Sequence, residues 1–337
     1  MTQLRQSLPV MESPPTIPIS CPQEIIRCIL DHLPPQSVAA FALTCRRFYP
    51  HLSSAPLNEE ARLRLLVWIE KDIPHLYVCH KCDDLHTWSQ LTRNAGYDRH
   101  CRKRRSWVDP RVFLDFTAGR LVMNRHLYGK LHGPRPEAFN HTTTTTHEEG
   151  VEQEQCLSAR IIGDELYFKV TTQLYHNRGR ARILRERIND FWSRDKLICR
   201  HMGFTGSLYR TYRTHELDRP LGSGELFVPV TGPLRSCRRC FTDFCVDIEW
   251  RPLTSKTTKG WIITITRWHQ LGQFRARADP KWHNYVDDTG LQGHIPWRDK
   301  VSGAGMVYGN WSAQDDESAE HMAKDSIIQR EEAGFVM

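Results

Sequence analysis

The segment from Pro22 to His51 constrains this chain most, because it packs far more apolar helix than so short a stretch can hide. Ile25, Ile26, Ile29, Leu30 and Leu33 recur at helical spacing and place an apolar stripe on one face. Pro34–Pro35 ends that helix, since proline has no N–H to donate and clashes with the preceding turn. A second short helix is expected to carry Val38, Phe41 and Ala42, with a third turn from Thr44 to Tyr49 and with Pro50 and Pro56 closing the unit. A three-helix unit of about 40 residues buries too little surface to be comfortably stable alone. Ile25, Ile29, Leu30, Leu33, Val38, Phe41 and Leu43 exceed what one tiny core needs, so some of them face a partner. The alternative is that this is the first helical hairpin of a larger domain, and pattern alone leaves both readings open.

The order of residues goes further than the pattern. The segment CPQEIIRCILDHLPPQSVAAFALTCRRFYPHL resembles an F-box, matching it at Pro22, Glu24, Ile25, Ile29, Leu30, Leu33, Phe41, Thr44, Cys45, Arg46, Arg47 and Phe48. Three positions depart: Cys21 stands for the usual Leu, Val38 for the Leu after Ser37, and Phe48–Tyr49 where many members have Trp. Each keeps an apolar or aromatic side chain. The ending LTCRRFY is similar to F-boxes of filamentous fungi, and WIEKDIPHLYVCHKCDDLH, LVMNRHLYGKLHG, CRRCFTDFCVDIEW and ITRWHQLGQ resemble the bodies of such proteins. The resemblance implies docking on a Skp-family adaptor, and through it on a cullin, by a helix-on-helix interface in which a few anchors carry most of the energy. The anchors it points to are Pro22, Ile25, Ile29, Leu30, Leu33, Phe41 and Phe48. It implies a non-catalytic substrate adaptor of an SCF-type ubiquitin ligase, presenting an unknown protein substrate.

The expected fold class is α+β: a three-helix F-box over 20–56, a linking helix over 57–74, and a mixed domain with antiparallel strands over 75–317, braced by zinc. Residues 1–19 are expected to be a disordered leader and 318–337 a C-terminal helix and tail. Asn58 suits the N-cap of the linking helix and Glu59 and Glu60 its positive end. Leu63, Leu65, Leu66, Trp68 and Ile69 make that helix apolar over most of its circumference, so burial between modules is expected. Residues 112–127 read as mixed strand and helix. The Thr142–Thr146 run, beside Glu148, Glu149, Glu152 and Glu154, reads as a solvated insertion over about 137–156. Leu166–Val170 read as a strand, and Ile183, Leu184, Ile188, Phe191 and Trp192 as one helical face. Phe244, Val246, Ile248 and Trp250 alternate with polar residues, as do Trp261, Ile263 and Ile265, so the polar stretch 251–260 reads as a hairpin connection.

Eleven cysteines are present, and no basic start followed by an apolar stretch marks residues 1–20 as a secretory signal. Closely spaced cysteines in a reducing compartment bind metal more often than they form disulfides. Cys79-x-x-Cys82 is followed by His86, His100 and Cys101, and Cys237-x-x-Cys240 is preceded by Cys199 and His201. A two-residue gap lets one turn present both thiolates to a tetrahedral Zn²⁺ at ~2.3 Å. Two local sites are one arrangement, Cys79/Cys82/His86/Cys101 and Cys199/His201/Cys237/Cys240. The other is a single site built from both CxxC pairs. Reduced thiols beside satisfied histidines are the bland alternative. A closed four-ligand set is structural, because it leaves no position for water.

Other classes find little support. A mean hydropathy of -0.54, with no apolar run near the ~20 residues of a spanning helix, excludes a membrane-spanning helical protein. A net charge of +7 is mild; only Arg99, Arg102, Lys103, Arg104 and Arg105, beside Trp107, concentrate it, as a solvated face would or as phosphate contacts would. A zinc-dependent nucleic-acid-binding or regulatory protein is therefore the alternative function. Hydrolase, nucleotide-binding and metalloprotease motifs are missing, and the chain is expected in the cytoplasm or nucleus.

Overall fold

Helices form where the apolar stripe and the prolines dictate. The computed structural model describes residues 22–44, 48–49, 57–79, 82–88, 114, 116–147, 150–176, 198–199, 230–237, 240–250, 261–276, 279–283, 285 and 305–315. The chain divides into two units, Met1–Ile69 and Glu70–Met337.

In the first unit, α1 (Gln23–Asp31) ends before the double proline and α2 (Pro35–Thr44) begins on it. Pro35 sits in the first turn of α2, where its missing N–H costs nothing. The carbonyl of Pro34 accepts from the Ser37 and Val38 N–H groups. Ile26, Ala42 and Phe48 form a small core with Leu30 and Phe41 against it, the two phenyl rings 4.4 Å apart. The third turn expected over 44–49 falls mostly on 45–47, outside the described residues, as do the leader and the C-terminal tail. The expected cap is present: the Ala61 N–H donates to Asn58 Oδ1 at 2.8 Å, opening α3 (Glu59–Asp72).

α3 corrects one expectation. It is buried along one face only: Ala61, Leu65, Leu66 and Glu70 are buried whereas Trp68 is exposed. A carboxylate, not a tryptophan, is what the helix hides, because Glu70 has partners that satisfy it completely. They belong, with Glu70 itself, to the second unit.

The second unit opens with a hairpin, β1 (Leu76–Cys79) and β2 (Asp84–Thr87), followed by α4 (Phe116–Tyr128) and a 3₁₀ turn at Pro136–Phe139. Residues 116–128, read from sequence as mixed, are one helix. Next come β3 (His141–Thr146), β4 (Val151–Ile162), β5 (Glu165–His176), β6 (Val230–Thr231), β7 (Arg235–Ser236), β8 (Thr242–Trp250), β9 (Trp261–Gly272) and α5 (Pro280–His283), then a helix over 306–315, α6. The strands make an antiparallel sheet in the order β3-β4-β5-β9-β8-β6, with β7 also on β8.

The solvated insertion expected over 137–156 is instead the sheet's edge. Thr142–Thr146 form β3, paired residue by residue with 152–156 of β4. Threonine is β-branched and fits a half-exposed strand, a preference that the polarity of the run concealed. Strict alternation of buried and half-buried residues along β4 then gives the sheet two faces. One packs Leu157, Ala159, Phe168 and Val170 against Ala118, Val122 and Met123 of α4, with Phe274 and Trp282. The other turns Tyr167 and Trp268 onto Val307 and Trp311 of α6.

Candidate docking face and metal centres

On the first unit, α1 divides its apolar residues between a core and a surface. Ile26 faces inward, while Ile25 and Ile29 are 51% and 49% exposed. Leu43 and Tyr49 are exposed as well, and neither stood among the expected anchors. Of those anchors Pro22 is exposed and Leu30, Leu33 and Phe41 are half-buried. Phe48, also among those anchors, is only 6% exposed, and its ring fills the unit's own core. The first unit thus presents two isoleucines, a leucine and a tyrosine to solvent.

Two groups of metal-ligand side chains stand in the second unit, and they follow the local pairing rather than the single site built from both CxxC pairs. Cys79, Cys82 and His86 have their ligand atoms within 4.8 Å of one another. Cys79 ends β1, His86 lies on β2, and Cys82 occupies the connecting turn, where Asp83 adopts a left-handed φ of 50°. The Asp83 N–H donates back to the Cys79 carbonyl at 2.8 Å, tightening the loop. Cys82 Sγ lies 3.0 Å from His86 Nε2. Tyr77, cross-strand from His86, shares the Cys79 cluster with Trp88 and Leu121, so the hairpin is fixed against α4.

Cys199, Cys237 and Cys240 form the second group, their sulfurs within 4.8 Å of one another. Tetrahedral thiolates around Zn²⁺ at ~2.3 Å stand about 3.8 Å apart, a spacing this cluster can adopt with little movement. The Cys237 N–H donates to the Thr242 carbonyl and the Thr242 N–H to the Cys240 carbonyl, both at 2.8 Å. This knuckle runs straight into β8, as its alternation predicts. Cys199 and Cys240 are buried. The neighbouring Cys199 and Cys237 sulfurs, and then burial, hold the Cys240 thiol well above its usual range, and a bound cation would reverse that by stabilising the thiolates. Cys101 and His201, the expected fourth ligands, lie outside the described residues, as do His100 and the basic segment 99–107.

Sequence reasoning missed what surrounds the second group. Thr242 Oγ1 lies 3.2 Å from Cys240 Sγ, 3.0 Å from His269 Nδ1 and 3.0 Å from the Tyr285 hydroxyl. The Tyr285 O–H donates to the Phe241 carbonyl at 2.6 Å. His269 faces Thr242 across the β8–β9 ladder. Burial first, then the Arg267 cation, pushes the His269 imidazole down to about 3, so the ring is neutral. Period two along β9 could have placed His269 on the same face as Ile263 and Ile265; nothing local in the sequence ties it to cysteines so distant along the chain.

Residues 19–60 match the F-box domain family, so the chain carries an F-box, a class of domain that in general binds Skp-family adaptors of SCF-type ubiquitin ligases. No curated protein and no solved structure matches the chain.

Proposed function

We propose that this chain is the substrate-recognition adaptor of an SCF-type ubiquitin ligase and works without chemistry of its own. The F-box holds it on a Skp-family adaptor, and thereby on a cullin, while the second unit holds a protein target. Tethering raises the target's effective concentration at the ubiquitin-loaded enzyme. The observation that carries this reading is the exposure of Ile25 and Ile29 on a helix whose inward residue, Ile26, already completes the small core. Burying such anchors against a partner is worth ~2 kcal/mol each where they act as hot spots. We infer in addition that the two cysteine groups hold structural Zn²⁺, which suits a reducing compartment, the cytoplasm or nucleus.

The test is affinity purification of the wild type beside the Ile25→Asp/Ile29→Asp double variant, in which only exposed side chains change. Loss of adaptor and cullin, with other partners retained, is the expected result. Undiminished adaptor recovery overturns the proposal. Leu30→Asp/Leu33→Asp should act in the same direction, but it also strikes Leu30, which packs against the small core. Metal analysis of the same preparation is expected to give two zinc ions per chain, and a metal-free, folded chain refutes the zinc assignment.

A further inference from the structure

The two edges of the large sheet are built differently. Beside β8 the edge is broken into β6 and β7, two residues each with Pro233 between them, and short strands of this kind blunt an edge. β3 has no such guard: His141–Thr146 carries no lysine, proline or bulge and keeps unbroken register with β4. The His147 N–H donates to the Val151 carbonyl. In an antiparallel ladder the odd-numbered residues of β3 therefore bond to β4, and the even-numbered ones turn their N–H and C=O groups outward. Those outward groups belong to Thr142, Thr144 and Thr146, all three exposed. Among the described residues nothing bonds to them. They form an open template that repeats every two residues, at a pitch of about 6.8 Å.

The charges beside this edge say what can pair with it. Thr144 and Thr146 stand opposite Glu154 and Glu152 of β4, and Thr142 opposite Cys156, with Oγ1 3.3 Å from Sγ. Among the described residues no lysine or arginine pairs with either glutamate. Their negative field reaches Tyr175, cross-strand from Glu152: burial first, and then Glu152 and Glu154, push its hydroxyl up to about 12. The cations that β4 and β5 set on this face, Arg160 and Lys169, lie toward α6, where Arg160 sits over Trp311 and pairs with Asp315. A strand laid against β3 would run about 9.6 Å from β4, two strand spacings, a gap that a lysine or arginine and a glutamate close between them. A second copy of β3 would instead set two such glutamate pairs on one continuous face, which like charges disfavour.

We propose that the β3 edge is the target-docking site of the second unit. It takes an extended segment of the target protein as an added strand, paired through the backbone of Thr142, Thr144 and Thr146 and selected for lysine or arginine on the Glu152/Glu154 face. This rests on the reading that the second unit holds a protein target, and it names the kind of segment held. Main-chain bonds supply the affinity and the two carboxylates the choice of partner.

The test is fluorescence anisotropy of the full chain with a labelled peptide of alternating lysine and valine, beside one with serine in place of each lysine. The lysine probe should bind more tightly than the serine probe. Thr144→Pro removes the central outward N–H while leaving the β3–β4 bonds intact, and should weaken the lysine probe by about 10-fold or more. Thr144→Val keeps the backbone and should bind as the wild type does. Glu152→Gln/Glu154→Gln should weaken the lysine probe by roughly 3- to 10-fold at low salt, as two exposed charge contacts would, and leave the serine probe unchanged. If Thr144→Pro does not fold, Thr144→Lys guards the edge with a cation and should weaken the lysine probe likewise. No binding of the lysine probe by the folded wild type, or undiminished binding by the folded edge variant, overturns the proposal. Equal affinity for the two probes overturns the selection for basic residues. A wild-type dimer in sedimentation that Thr144→Pro dissolves also overturns it, because a second copy then holds the edge. Adaptor recovery is read separately on Ile25→Asp/Ile29→Asp, so failure of the ligase reading leaves the probe result standing, and the converse holds.

Discussion

Glu70 is wholly buried, and every lone pair that matters on it is used. Its Oε1 accepts from the Val78 N–H at 3.0 Å, Arg120 Nε at 2.8 Å and Asn124 Nδ2 at 2.9 Å, while Oε2 takes a second bond from the Arg120 guanidinium. Arg120 in turn donates to the Phe274 and Arg275 carbonyls. The pair thus links the end of α3, the first strand, α4 and the turn after β9. Burial raises the Glu70 carboxyl, but the bonds and charge of Arg120, with Val78 and Asn124, more than reverse it and hold the group below its ordinary 4.5. A depressed carboxylate stabilises fully above its unfolded value and loses that contribution as pH falls through the folded one. Acid titration of the second unit's stability should therefore decline below about pH 4.5. Glu70→Gln leaves the Arg120 charge buried without its counterion, so it should cost ~3–5 kcal/mol in chemical denaturation at pH 7 and lack that acidic decline.

At the scale of elements, α4 and the turn after β9 fit because Gly119 has no side chain. A Cβ there would lie 2.2 Å from the Phe274 ring, and that ring also packs at a tilt against Trp282 with centroids 4.8 Å apart. Alanine in place of a helical glycine ordinarily stabilises by ~1 kcal/mol. Here the sign should reverse: Gly119→Ala should destabilise by ~1–3 kcal/mol through overpacking. A double-mutant cycle with Phe274→Leu should return a favourable coupling, since the leucine vacates the space the new methyl needs. Elements with a strong local signature were legible beforehand. α1, the proline break, the Asn58 cap and the alternation of β8 and β9 all depend on neighbours in sequence. β3 was not legible, because its polarity suggested solvent while its structure comes from pairing with β4. The helix α4 was obscured by Gly119 and by Arg120 and Asn124 on its buried side, each of which has its reason in a distant partner.

For the whole molecule, the proposed function gives each of the two units its own task, and the predicted failures divide likewise. Among the ten tryptophans only Trp68 precedes Glu70, so intrinsic fluorescence reports the second unit almost alone. Trp268, Trp282 and Trp311 are buried there. Removing metal with a strong chelator should collapse that fluorescence to the unfolded signature while adaptor binding through the F-box persists. Deleting residues 1–56 should do the converse, abolishing adaptor binding and leaving the tryptophan environment native. Simultaneous loss of both in either experiment would contradict the division.

The sequence by itself determined the F-box, its exposed apolar stripe and the candidate ligands of two metal groups, because each is written in local spacing: helical period, proline position, CxxC. It left open how those ligands pair. Tertiary structure decided that Phe48 closes the core, that the cysteines group as two local sets, and that Glu70 and Arg120 are buried together. It also decided that Thr242 stands between Cys240 and His269. Each of these depends on strand register and helix packing that join residues far apart in the chain. The energy of such contacts comes from burial and from satisfied hydrogen bonds, which no local pattern records.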